Sequence, residues 1–147
     1  MPSKIFPGKF SSLAEISDFV VEQANQIGFD EKATYAVQLA VDEACSNIIE
    51  HAYGGEGKGD IELTCNLRED ELEVILKDHG KPFDLEDLPD LDVTLPIDQV
   101  GERGAGVYLM HKLMDEVQFH FSKNTGTTLI MRKKKCCLLY TSDAADE

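Results

Sequence analysis

No stretch of this 147-residue chain approaches the roughly 20 consecutive apolar residues that a membrane-spanning helix requires. The first ten residues carry lysines at 4 and 9 and no continuous apolar segment of the kind a secretory signal needs, so the expected location is the cytoplasm. Cysteine is sparse. Cys45 falls in a helical pattern, Cys65 in a strand pattern, and Cys136 and Cys137 are adjacent, which fits neither a disulfide framework nor metal-ligand spacing. Buried or incidental thiols are expected instead. Positive charge is scarce too: 14 Lys and Arg stand against 28 Asp and Glu, a formal net charge of -14. That balance argues against direct, sequence-independent nucleic-acid binding, because phosphate backbones reward clustered Lys and Arg. A single nucleotide is a different matter, since Mg2+ and backbone N–H groups can offset its phosphates even in an acidic protein.

What is present is globular. Hydrophobic residues make up 42% of the chain and charged residues 29%, and the length suits one domain with its own core. Ser12 to Glu15 spell a Ser-x-x-Glu capping box, after which Leu13, Ile16, Val20, Ala24 and Ile27 recur at helical spacing up to Gly28. A second helix is predicted from about Asp30 through Ala36, Leu39, Ala40, Ile48 and Ala52, ending at Tyr53-Gly54-Gly55. Ile61, Leu63, Cys65 and Leu67 alternate with polar residues, as do Leu72, Val74 and Leu76, which predicts a hairpin with one buried face. From Pro82 to Gly101 the pattern weakens over three prolines and several acids, the signature of a functional loop or lid. A helix from about Gly106 to Met114, a strand from Glu116 to Ser122, a turn at 124–126 and a last strand through Met131 complete the order. Strands grouped in antiparallel hairpins with helices between them indicate an α+β fold with helices on one face of the sheet. The segment 136–147 extends none of these patterns and reads as disordered or not native to the domain.

Three clusters carry chemistry. Glu43 and Asn47, four apart on the second helix, project from nearly the same side, and a carboxylate with an amide oxygen suits Mg2+ or an attacking hydroxyl. Such a pair is also common on a solvated helix face. Asp78 ends a hydrophobic strand and is followed by His79-Gly80, where a carboxylate can accept from an exocyclic amine; a plain turn has the same spelling. Gly101 to Gly106 offer loose backbone ahead of a helix, where free N–H groups favour anions, and Arg103 adds a fixed positive charge. The segment lacks the Gly-Lys-Ser/Thr ending of a P-loop.

In combination and in this order, the clusters resemble the gyrase, histidine-kinase and MutL ATPase superfamily, most of all its bacterial anti-sigma factor serine/threonine kinases. The residues are Asp42-Glu43-Ala44-Cys45-Ser46-Asn47-Ile48-Ile49-Glu50-His51-Ala52-Tyr53, Asp78-His79-Gly80-Lys81-Pro82-Phe83-Asp84, Glu102-Arg103-Gly104-Ala105-Gly106, and Asn124-Thr125-Gly126-Thr127-Thr128. The resemblance covers roughly residues 6–134 and implies a two-layer α/β sandwich of the histidine-kinase-like ATPase type, its mixed or antiparallel sheet covered on one face by helices. It implies ATP and Mg2+ as cofactors. Asn47 would ligate Mg2+, Asp78 would bond the adenine amino group, Gly80 would admit the ring and Thr127 would support it. Gly104, Ala105 and Gly106 would border the phosphates and Glu43 would act as general base toward a serine hydroxyl, while Arg103, by its charge, could reach a terminal phosphate or an acidic group on a partner. The implied partners are an anti-anti-sigma protein as substrate and a sigma factor, with the kinase a homodimer. Val107, Tyr108 and Lys81-Pro82 depart from the family's usual residues, with consequences expected for packing and for the lid entrance. A sensor histidine kinase is disfavoured, because no dimerisation helix pair fits before Ser11 and His51 reads as a packing residue. The alternatives are a nucleotide-gated binding protein without transfer, or a catalytic fragment of a larger sensor or regulator.

Overall fold

The fold is built around one helix seated across one sheet. A computed structural model describes residues 2–81, 102–122 and 126–135; of 102–105 the backbone alone is described. The expected lid at 82–101, the turn residues Asn124 and Thr125, and the tail 136–147 lie outside the described residues.

The chain starts with β1 (Ser3–Pro7), a 3-10 turn (Phe10–Ser12) and α1 (Leu13–Ile27), then α2 (Glu31–Asn47), which passes into a π-turn (Ile48–Ala52). β2 (Asp60–Leu67) and β3 (Glu71–Asp78) form the expected hairpin, and α3 (Glu102–Leu113), β4 (Glu116–Ser122) and β5 (Gly126–Lys134) follow. The five strands make a single sheet in the order β1-β2-β3-β5-β4, every pair antiparallel.

Strand alternation sorts the side chains by face. Ile61, Leu63 and Cys65 of β2, Leu72, Val74 and Leu76 of β3, and Leu129 and Met131 of β5 are buried on the inner face. Against them pack Ile16, Val20 and Ala24 of α1, Val37, Ala40, Val41, Ala44 and Cys45 of α2, and Val107 and Met110 of α3. Both described cysteines are free and buried, as their placement in apolar patterns suggested, and burial pushes the Cys65 thiol up to about 12. On the opposite face Glu73 is buried among polar groups. Burial alone would raise its pKa, but hydrogen bonds from Asn66 and Arg132, each 2.7 Å, hold it below the usual carboxylate value. No helix among the described residues is long and apolar enough to cross a membrane.

Three local expectations are corrected. β1 was not anticipated, because only Phe6 of its residues is buried and alternation has nothing to show. The Ser12 capping box does not form: the 3-10 turn leads straight into α1, leaving Ser12 already helical and its hydroxyl without a capping bond. Asp30, by contrast, caps α2 by accepting the Ala33 N–H at 2.8 Å. The third helix starts at Glu102 rather than near Gly106, so Gly104, Ala105 and Gly106 lie inside it. Glycine costs a helix only about 1 kcal/mol, less than packing against α2 returns.

Leu76 is fully buried at the centre of the sheet between Leu63 and Leu129. Leu76→Ala is expected to cost about 2–5 kcal/mol of folding stability, read from the urea midpoint at constant m.

Candidate functional site

The three clusters converge. Asn47 from the end of α2, Asp78 from the end of β3 and Thr127 from the start of β5 line one narrow pocket of about 10 Å3. Ala44, Ile48, Ala52, Met110, Phe119 and Leu129 supply mostly apolar walls, and Lys81 stands at the same pocket. An apolar slot with a few placed polar groups is the usual make-up of a small-molecule site.

Register explains the far wall. Asp78 pairs with Thr127 where β3 and β5 both end at the pocket, and both side chains point to the helix-covered face. Gly126 has φ +97, and a Cβ there would run into the Asp78 carbonyl, so only glycine lets β5 begin this close to the end of β3. The Asp78 carboxylate is 3% exposed and accepts the Gly80 N–H at 2.9 Å. Burial raises its pKa most, opposed by the N–H groups of Gly80 and Thr127 and by His79. The hydroxyl oxygen of Thr127 and the amide nitrogen of Asn47 are buried without a hydrogen-bond partner. Buried polar atoms are seldom left so, and two in one pocket mark a place where a polar ligand is satisfied.

The near wall is α2 against α3. Gly106 packs on the pair four residues apart: a Cβ on it would stand 2.6 Å from Glu43 Oε2 and 2.9 Å from Asn47 Nδ2. Glu43, Asn47 and Gly106 therefore share one spot, with Gly104 and Ala105 in the preceding turn of α3. The first four N–H groups of an α-helix lack intrahelical partners, which places those of Gly104 and Ala105 in the turn that favours anions. The Arg103 side chain lies outside the described ones. Glu43 is half-buried; desolvation, then the charges of Glu50 and Asp42, raise its pKa, which strengthens it as a proton acceptor. His51 is partly exposed beside Glu50, 3.9 Å away, and does not line the pocket.

Sequence reasoning missed the apolar walls Met110, Phe119 and Leu129, which carry no signal beyond their place in amphipathic patterns. It also gave Tyr53 no role beyond ending a helix, although the Tyr53 hydroxyl bonds the backbone of both His79 and Asp60.

The α+β sandwich, with a helix-borne Glu/Asn pair, a strand-end Asp and a glycine-bearing helix start close together, has the architecture of an ATPase domain. Residues 6–133 match the histidine kinase-like ATPase domain, and the chain belongs to that family. It is 39% identical over 114 residues to the serine-protein kinase RsbW of Bacillus velezensis, covering 75% of this chain and 70% of that one. Over 131 residues it is 34% identical to the serine-protein kinase RsbW of Bacillus cereus strain Q1, covering 86% and 80%. The fold is similar to that of the RsbU and RsbW domains of Rv1364c from Mycobacterium tuberculosis, with TM-score 0.63 and 17% identity over 91% of this chain and 32% of that one. It is also similar to the catalytic domain of histidine kinase ThkA, with TM-score 0.55 and 15% identity over 92% and 98%.

Gly106→Ala separates geometry from helix propensity. Alanine favours the helix by up to about 1 kcal/mol, but its methyl group displaces Glu43 and Asn47. Nucleotide affinity measured by calorimetry is expected to fall at least about tenfold, while the melting temperature holds within a few degrees.

Proposed function

We propose that this chain is an ATP-dependent serine/threonine protein kinase of the partner-switching type, which phosphorylates an anti-anti-sigma protein and, in its other state, sequesters a sigma factor. It acts in the cytoplasm as a homodimer. The observation that carries the reading is the shared pocket of Asn47, Asp78 and Thr127 with Glu43 at its edge. The serine-protein kinases that match most of the chain support it.

Each residue's part follows from its chemistry. Asp78, buried and pinned by two N–H groups, offers its carboxylate to the adenine amino group, and the Thr127 hydroxyl, otherwise unpartnered, bonds at the same end. Gly80 would admit the ring by its place next to Asp78, and its missing side chain lets residues 79–81 pack on the Ala52 carbonyl. Gly104 and Ala105 present N–H groups to the phosphates and Gly106 lets α3 approach α2, while Arg103 would lend a positive charge to the phosphates.

The residues fit a nucleotide-held Mg2+. No group of three His, Cys, Asp or Glu gathers into a metal cage among the described residues, and Mg2+ in phosphoryl-transfer sites is held mainly by phosphates and water with one or two protein ligands. Asn47, whose buried side-chain nitrogen has no hydrogen-bond partner, would offer its amide oxygen to the metal. When bound, Mg2+ neutralises charge on the phosphates. Glu43, its pKa raised, accepts the proton of the incoming serine hydroxyl and orients that oxygen toward the γ-phosphorus.

The deciding experiment is incubation with γ-labelled ATP and the cognate serine-bearing partner. Label on the partner serine supports the kinase; ATP binding with no transfer favours a nucleotide-gated antagonist. Glu43→Gln is expected to bind ATP as the parent does and to transfer about 10²- to 10⁴-fold more slowly; parental transfer rates would refute the assignment.

A pH prediction follows from Asp78. The ionised carboxylate is the stronger acceptor for the adenine amine, and its pKa in the unliganded protein lies above the ordinary 3.8. ATP affinity should therefore start to decline, on acidification, at a higher pH than an ordinary aspartate would give. In Asp78→Asn, whose amide does not titrate, that part of the pH dependence is expected to vanish along with most of the ATP-over-GTP preference, as calorimetry across pH 4 to 7 can read.

A further inference from the structure

Three backbone segments meet at one phenol. The Tyr53 hydroxyl donates to the Asp60 carbonyl at 2.6 Å and accepts the His79 N–H at 2.9 Å. Its ring lies against Gly59, where any Cβ would collide with it. One residue earlier, the Ala52 carbonyl accepts the Lys81 N–H at 2.7 Å, and the backbone of Gly80 presses on that same carbonyl so closely that a Cβ would come within 2.5 Å of its oxygen. Residues 79–81 are thus bonded at two points to the segment that closes α2.

The π-turn makes this possible. Tyr53 N–H bonds to the Ile48 carbonyl at 2.9 Å, a closure five residues back rather than four. The extra residue in the turn takes Ala52 and Tyr53 out of the angular register that Glu43 and Asn47 follow. The Ala52 carbonyl faces the end of β3, and the phenol spans the gap between β2 and the residue after Asp78. Departures of this kind inside helices are frequently found at functional sites.

We propose that Tyr53 is a positioning residue for base recognition. Its hydroxyl, together with the Ala52 carbonyl, holds the 79–81 backbone so that Asp78 faces the pocket at a set distance from Asn47. This rests on reading Asp78 as the adenine contact. The link runs through Gly80, whose N–H holds the Asp78 carboxylate: when residues 79–81 shift, the acceptor shifts with them. Tyr53→Phe keeps the ring on Gly59 and removes both hydroxyl bonds.

The test measures dissociation constants for ATP and GTP, with melting temperatures, for the parent, Tyr53→Phe and Ile16→Val. Ile16→Val trims a fully buried residue of α1 that does not line the pocket and serves as the comparison for general loosening. Tyr53→Phe is expected to bind ATP about tenfold more weakly and to narrow the ATP-over-GTP preference by a similar factor, whereas Ile16→Val keeps both. A preference unchanged in Tyr53→Phe, or narrowed equally in Ile16→Val, overturns the proposal and leaves the Asp78 reading standing. A parent protein with no preference removes the Asp78 reading and the proposal together. Hydrogen exchange on the parent adds a measurement that needs no variant: the His79 amide is expected to be protected, and exchange at the rate of an open loop overturns the proposal.

Discussion

The seating of α2 on the sheet is the constraint from which the site follows. One side of this helix must bury Val37, Ala40, Val41, Ala44 and Cys45, and that apolar stripe sets its rotation about its own axis. Once the rotation is set, Glu43 and Asn47 have no freedom to face elsewhere, since residues four apart share a side. Small residues then matter as much as large ones. Ala44 at the pocket wall and Gly106 on α3 allow the helices to close on the pair without a side chain between them. The apolar core thereby acts as the jig that aims the polar groups.

The electrostatics run against the composition and gain from doing so. In a chain of net charge -14, Asp42, Glu43 and Asp78 are gathered into partly or fully buried positions, and desolvation raises the pKa of each. Keeping such groups ionised needs nearby donors. Asp78 has the N–H groups of Gly80 and Thr127, while Glu43 is faced by further carboxylates and gains proton affinity. Two carboxylates drawn from neighbouring motifs thus meet different surroundings, one held by backbone donors and one facing charges of its own sign.

Much of this was legible in the chain. The hairpin β2–β3 and the α+β class follow from period-2 alternation, which survives in these two strands because one face of each is buried, and the bounds of β4 were read as they stand although none of its residues is fully buried. Bringing Glu43, Asn47, Asp78, Gly106 and Thr127 to one place needed the combination of motifs, since each alone is an ordinary turn or helix surface. What stayed hidden had no periodic trace. β1 buries a single side chain, and its place is set by backbone pairing with β2. The Ser12 box was spelled correctly, yet a preceding 3-10 turn removed the geometry it needs. The change from α to π at Ile48 preserves the apolar character of Ile48 and Ile49, so hydrophobicity cannot report it.

That hidden change links the two walls of the pocket. A straight continuation of α2 would leave the end of β3 attached to the rest of the domain chiefly through its strand neighbours, and the spacing between Asn47 and Asp78 would depend on side-chain packing alone. Packing of apolar side chains is non-directional and tolerates small slides, whereas a hydrogen bond weakens steeply when its angle opens. By turning the Ala52 carbonyl and the Tyr53 hydroxyl onto residues 79–81, the π-turn puts directional bonds where the distance between a helix end and a strand end must be kept. The sheet supplies the matching restraint from the other side, through the Asp78–Thr127 pairing and the glycine that admits it. A site whose polar groups come from separate layers of a sandwich needs such directional ties at its seam, because the apolar core alone does not fix that distance.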